Sequence, residues 1–151
     1  MEIFKITTAH YANTLTASGR PNRWNKKGEF VIYAGGSRSL STLELIVHRS
    51  SIKPAIDYRV VVLSISDDSD LYRTIRKNQL PGNWKNIIAY PDLQQLGSNW
   101  YKKKESLVLK VPSAVIPFEF NFILNTTHPD FDEHVSLVRN ERYFWDERLP
   151  L

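Results

Sequence analysis

The chain has 151 residues, 42% of them hydrophobic and 12% aromatic, with 20 Lys+Arg against 16 Asp+Glu for a formal net charge of +4. That length suits one domain with a closed core, and the apolar content excludes an intrinsically disordered chain, which could not offset its ordering entropy by burial. The absence of cysteine excludes disulfide staples, thiol nucleophiles, iron–sulfur clusters and cysteine-type zinc sites, while a charge of +4 suits a phosphate-bearing ligand without marking a nucleic-acid binder.

No internal repeat, low-complexity tract or linker-like shift divides the sequence, so residues 1–151 read as a single domain. The N-terminus mixes Glu2, Lys5 and His10 into its apolar residues and lacks the apolar stretch of a signal peptide. No run approaches the ~18 apolar residues of a membrane helix. A cytoplasmic protein without a membrane segment is expected.

In chain order, residues 2–7 suit a short strand, and 13–29 form a loop rich in Gly, Pro, Asn and Ser that carries Arg20, Arg23 and Trp24. Residues 30–34 (FVIYA) form a buried strand that ends at Gly35-Gly36, where the chain can turn sharply. A helix is expected over 39–49, starting at Ser39 or at Ser41, the latter with Glu44 three residues on as a capping box. Leu40, Leu43 and Val47 fall on one apolar stripe of that helix. Residues 57–66 form the clearest strand, DDSD a turn, and 70–78 a short helix. Residues 91–104 suit a second helix with Asp92 near its start and Leu93, Leu96 and Trp100 on one face, weakened by Gly97. Strands follow at 106–111, 120–124 and within 135–146. Strands outnumber helices and do not alternate with them, which points to an α+β fold.

Three polar residues stand out. Glu44 lies i+4 from Leu40 and i−3 from Val47, inside the expected apolar stripe; it either caps or snorkels from the stripe's edge, or is carried into a groove where an unpaired carboxylate is costly and marks a site. Arg23, in a loop before a buried strand, is either a solvated arginine or, with Trp24 and Asn25 beside it, part of a ligand clamp. Tyr33 ends its strand two residues before the Gly-Gly turn; ordinary core packing is the simpler reading of it alone. His128, Asp130, Asp132 and His134 have metal-ligand chemistry but no recognised spacing, and a solvated acidic loop is expected there. Lys102-Lys103-Lys104 reads as a wet helix end. No phosphate-binding loop, dinucleotide fingerprint or Gly-x-Ser-x-Gly elbow is present.

A string of fragments resembles the RES-domain family, toxins of bacterial toxin–antitoxin pairs whose partner is an Xre-type antitoxin. Arg23-Trp24-Asn25 followed by Gly28 is similar to the family's Gly-Arg-Trp-Asn opening, with Asn22 in place of the common glycine. Val31-Ile32-Tyr33-Ala34, Leu43-Glu44 with His48, Leu80-Pro81-x-Asn83-Trp84 and Leu96-Gly97-x-x-Trp100 follow in order. Val111-Pro112-Ser113-Ala114-Val115-x-Pro117, Asn121-x-x-x-Asn125-x-x-His128-Pro129 and Asp146-x-Arg148-Leu149 complete the string. The family's Arg, Glu and Ser map to Arg23, Glu44 and Ser113, with Ser106 as the alternative serine.

The resemblance implies a single α+β domain with a split β-sheet core and flanking helices, similar to the ADP-ribosyltransferase fold, which clasps NAD⁺ as substrate without a metal. It implies Arg23, Tyr33 and Glu44 as the catalytic signature. Glu44 would stabilise positive charge developing on the ribose as nicotinamide leaves, as in glycoside cleavage. Tyr33 would stack on nicotinamide, Arg23 would pair with the pyrophosphate or hold the ribose, and Ser113 would donate a hydrogen bond to ligand or to Glu44. Tyr11 and Asn25 would complete the pocket. The acceptor stays open: water, phosphate or a protein side chain, the last making a mono-ADP-ribosyltransferase. The family also implies a cognate antitoxin in a hetero-oligomer, with DNA reached only through that partner. A different class, a non-catalytic RNA-binding module, would instead use Trp84, Trp100 and Tyr101.

Overall fold

Alternation of apolar side chains builds a sheet with two working faces. Val108 and Leu109 enter different clusters, as do Ile123 and Leu124, and Val31 and Ile32, the period-2 pattern of strands covered on both sides. These strands belong to a computed structural model that describes residues 1–48 and 55–149. The elements are β1 (Glu2–Thr8), β2 (Val31–Gly35), α1 (Arg38–His48), β3 (Tyr58–Ile65), β4 (Tyr72–Thr74), α2 (Tyr90–Lys103), β5 (Val108–Pro112), β6 (Phe120–Asn125), α3 (Phe131–His134) and β7 (Val135–Arg142). The expected helix over 39–49 is α1 (Arg38–His48), and residue 49 of that expectation lies outside the described residues.

The seven strands form one mixed sheet in the order β4-β5-β6-β2-β1-β3-β7, in which only β4–β5 is parallel. Its centre is barely joined. β1 pairs with β3 along Glu2–Thr8 and β2 with β6 along Val31–Gly35, but β1 and β2 meet only at Phe4 opposite Gly35. The expected α+β domain with a split sheet is what the chain forms. On one face a continuous core joins both halves through Ile3, Ile32, Leu63 and Leu124. On the other, α2 covers β5 and β6 through Leu93 and Trp100, and Phe4, Val60 and Val62 form a separate small cluster.

Helix α1 spans the split. Ser37 caps it, its Oγ accepting from the Leu40 N–H at 3.1 Å, so neither Ser39 nor Ser41 does. Ser41 Oγ instead donates to the Phe4 carbonyl at 2.8 Å, and Gly35 makes room for it: a Cβ there would lie 2.5 Å from that oxygen. The expected apolar stripe is corrected. Leu40 is buried but Leu43 and Val47 are exposed, and the inward face carries Ser41, Glu44, Leu45 and His48. At about 100° per residue that face is centred on the far side of Leu40 from Leu43 and Val47.

Two further expectations are corrected. Residues 70–78 form no helix: a 3₁₀ turn at Ser69–Leu71 leads into β4, because Tyr72, Arg73 and Thr74 pair with Val108, Leu109 and Lys110, and a second turn follows at Lys77–Gln79. Tertiary pairing overrides local helical preference there. The 128–134 segment is not a solvated loop. Phe131 enters the core, His128 is buried with its Nε2 3.0 Å from the Lys104 carbonyl, and α3 forms, leaving Asp132 and Glu133 exposed. Among the described residues no helix is long and apolar enough to cross a membrane.

Candidate active site

Where β1 and β2 part, a cleft of about 820 Å³ opens, lined by Phe4–Thr7 of β1, Val31–Gly35 of β2, the inward face of α1 and the loop residues Asn22, Arg23 and Trp24. That volume is in the upper part of the roughly 300–1,000 Å³ range of small-molecule sites. Lys5, Arg20, Arg23 and His48 line it, and among the described residues Glu44 is its one carboxylate. Burial lowers the pKa of the Lys5 ammonium from its ordinary value.

Glu44 sits at the α1 wall with its side chain 18% exposed. Its Oε1 accepts from Asn121 Nδ2 at 2.6 Å and from Ser113 Oγ at 3.1 Å, and its Oε2 faces His48 Nε2 at 3.1 Å. An ionised carboxylate can only accept, so Nε2 of His48 is the donor in this pair. Burial is the largest influence on Glu44 and raises its pKa, but hydrogen bonds from His48, Asn121 and Ser113, with the nearby His48 charge, together outweigh it and leave the pKa below its ordinary value. The result is a carboxylate held ionised and fixed in direction at the edge of a cleft.

Ser113 reaches Glu44 from the end of β5. It is buried, accepts at Oγ from the Val115 and Ile116 N–H groups at 3.0 Å each, and keeps its own proton for Glu44. The alternative serine is elsewhere: Ser106 Oγ accepts from Trp100 Nε1 at 2.9 Å in the core. Asn121 was named in the sequence only within a fragment, with no role. It is the second residue of β6, on the same face as Ile123, and a polar residue on the inward side of FNFIL was the available signal. Lys5 and Arg20 likewise reach the cleft without having been singled out as site residues, and His48 could have been tied to Glu44 from its i+4 spacing.

Arg23 lines the same cleft from the loop before β2. Its Nη1 donates to the carbonyls of Trp84 at 2.8 Å and Lys85 at 3.1 Å, and its guanidinium stacks 4.8 Å from the Tyr90 ring centroid. Nε and Nη2 have no partner among the described residues, which leaves three N–H donors of the fork for a ligand. Tyr33 presents its ring to the cleft, but its hydroxyl turns into the protein, donating to Asn25 Oδ1 at 2.6 Å and accepting from the Trp24 N–H at 3.1 Å. Burial drives that phenol far above its ordinary pKa, so it remains a donor. Asn25 is buried and does not line the cleft; its amide donates to the carbonyls of Arg20, Lys26 and Glu29 and shapes the loop. Tyr11, 56% exposed, stands at the mouth. The proposed stacking surface for RNA is not available, because Trp84 and Trp100 are core residues and the Tyr101 hydroxyl accepts from the Phe30 N–H.

The sequence and the fold have counterparts in known proteins. The RES-domain family model matches residues 2–146. "Toxin Res" of Yersinia enterocolitica is 31% identical over 153 aligned residues, covering 99% of this chain and 99% of that protein. A Sphingobium protein called "Prs ADP-ribosylating toxin" is 28% identical over 128 residues, 84% of this chain and 79% of its own length. In the crystal structure of the M. tuberculosis MbcT–MbcA toxin–antitoxin complex, one chain shares the fold with a TM-score of 0.71 at 14% identity, covering 94% of this chain and 83% of that one.

Proposed function

The chain belongs to the RES-domain family, and from that premise we propose that it is the toxin of a bacterial toxin–antitoxin pair and consumes NAD⁺ by cleaving the bond between nicotinamide and its ribose. The observation that carries this reading is Glu44: a single oriented carboxylate in a cleft otherwise supplied with cationic side chains. NAD⁺ needs both. Its pyrophosphate is dianionic, and its ribose becomes electron-poor as the neutral nicotinamide departs.

In this reading Glu44 faces the ribose and stabilises the oxocarbenium-like transition state more than the ground state. Asn121, Ser113 and His48 fix its direction beforehand, so little reorganisation accompanies reaction. Arg23 offers its remaining N–H groups to the pyrophosphate, with Lys5 and Arg20 adding positive charge. The Tyr33 ring provides a face for nicotinamide and Tyr11 a further wall at the mouth. Ser113 and Asn25 act through other residues, the first on Glu44 and the second on the loop of Arg23. No metal takes part.

The test is cellular NAD⁺ after induction of the chain beside its Glu44→Gln variant. Depletion by the parent alone is expected; equal depletion by both removes Glu44 from the mechanism, and no depletion by either removes the reaction. A second reading, transfer of ADP-ribose to a protein side chain, is favoured by the name of the Sphingobium relative, an ADP-ribosylating toxin. NAD⁺ labelled in its adenylate half separates the two: label retained on protein means transfer, and label in free ADP-ribose or its phosphate means hydrolysis or phosphorolysis. A protein that destroys the cytoplasmic NAD⁺ pool has to be restrained, so a cognate antitoxin of the Xre type is proposed as partner, bringing the toxin to DNA indirectly. Co-expression of the adjacent reading frame should abolish NAD⁺ loss and co-purify with the chain.

A further inference from the structure

A buried carboxylate lies outside the cleft, and its contacts converge on the loop that carries Arg23. Glu29 is 7% exposed. Its Oε2 accepts from the Lys26 N–H at 2.8 Å, and its Oε1 accepts from the hydroxyl of Ser98, a fully buried residue of α2. The backbone carbonyl of Glu29 accepts from Asn25 Nδ2 at 3.3 Å. Burying a carboxylate is costly unless its oxygens are bonded, so each of these contacts is needed where it stands.

Ser98 is one of several α2 residues that grip the same loop. Gln94 Nε2 donates to the Asn22 carbonyl at 2.9 Å. Gly97 meets the Trp24 carbonyl so closely that a Cβ would lie 1.8 Å from its oxygen. Arg23 sits between Asn22 and Trp24, both held by α2, while Glu29 closes the far end of the loop on the same helix. The guanidinium's own contacts, to the Trp84 and Lys85 carbonyls, can form only if the loop delivers it there.

We propose that Glu29, acting through Ser98, is the positioning residue for Arg23: it fastens the arginine-bearing loop to α2 and thereby sets affinity for the anionic part of the substrate while leaving the bond-breaking step to Glu44. This rests on the reading that Arg23 holds the pyrophosphate. Glu29→Ala should raise KM for NAD⁺ by about tenfold or more, as loss of buried hydrogen bonds implies, with kcat within about threefold of the parent. Glu29→Gln should restore most of the affinity, since its carbonyl oxygen can accept from Lys26 and its amide can donate to Ser98 Oγ. Ser98→Ala removes only the helix side of the link and should shift KM in the same direction.

Amide hydrogen exchange, read without NAD⁺, follows the loop itself. In Glu29→Ala and Ser98→Ala the Trp24 N–H should exchange at least tenfold faster while amides of β3 and β6 keep parental rates. Parental KM and Trp24 exchange in either folded variant would overturn the proposal, as would a fall in kcat with KM unmoved, or a Gln variant as impaired as the Ala variant. If Glu29→Ala does not fold, Ser98→Ala decides. If the parent consumes no NAD⁺ the functional reading fails, and the exchange experiment alone still decides whether Glu29 holds the loop.

Discussion

Asn121 Nδ2 lies 2.6 Å from Glu44 Oε1, joining the first residues of β6 to the middle of α1 across the parted sheet. The amide donates to a carboxylate whose pKa burial alone would raise, and with Ser113 and His48 it brings that pKa below its ordinary value. Several measurable outcomes depend on this arrangement.

Glu44→Gln preserves volume and polarity but removes the charge. Losing a preorganised electrostatic contact typically costs ~10²–10³ in turnover, so NAD⁺ consumption should fall by at least that factor with the circular dichroism spectrum unchanged. A variant as active as its parent would mean that the carboxylate faces something other than the reacting ribose.

Asn121→Ala should move the acid limb of kcat/KM. The Glu44 pKa lies below its ordinary value in the folded protein, so the parent should keep its activity as pH falls to that ordinary value and lose it only lower. Without Asn121, burial acts against fewer donors and the limb shifts to higher pH. The same sign governs stability. A depressed folded pKa stabilises above the unfolded value, and that contribution disappears as pH falls through the folded one. Denaturant titrations of parent and variant should therefore converge in acid.

Arg23→Ala should weaken NAD⁺ binding by roughly tenfold to a hundredfold, the loss of charge-assisted hydrogen bonds. Arg23→Lys should recover little, because an ammonium cannot bridge two carbonyls, lie flat on Tyr90 and still present N–H groups to a phosphate. Isothermal titration on the inactive Glu44→Gln background measures this without turnover.

Gly97→Ala should destabilise the fold by about 1–3 kcal/mol in urea unfolding, since its methyl group would meet backbone of the Trp24 loop, which cannot rotate aside. Gly82→Ala, with nothing within 4 Å of the added carbon, should be close to neutral and serves as the control.

The glycine that weakens the helix in the sequence is thus what brings α2 and the loop together. Period-2 alternation and β-branched runs made β1, β2, β3, β5 and β6 legible, and the fragments around Arg23, Tyr33 and Glu44 marked three walls of one cleft. The face of α1 was not legible. Leu40, Leu43 and Val47 form a valid helical stripe, yet the helix lies across a split sheet, and its inward side is the polar one that lines the opening. β4 escaped for a related reason: three residues become a strand only because β5 offers them a parallel edge.

The local order of side chains in this chain was enough to determine the α+β class and most strands, because burial periodicity is carried by neighbours along the backbone, while Glu44 was singled out by its resemblance to a family motif. What Glu44 touches beyond its own helix was decided only by the folded arrangement. Asn121 arrives from β6 and Ser113 from the end of β5, 77 and 69 positions from the residue they hold. Hydrogen bonds a few ångströms long depend on the register of a sheet that opens at its centre, and no one-dimensional pattern encodes that register.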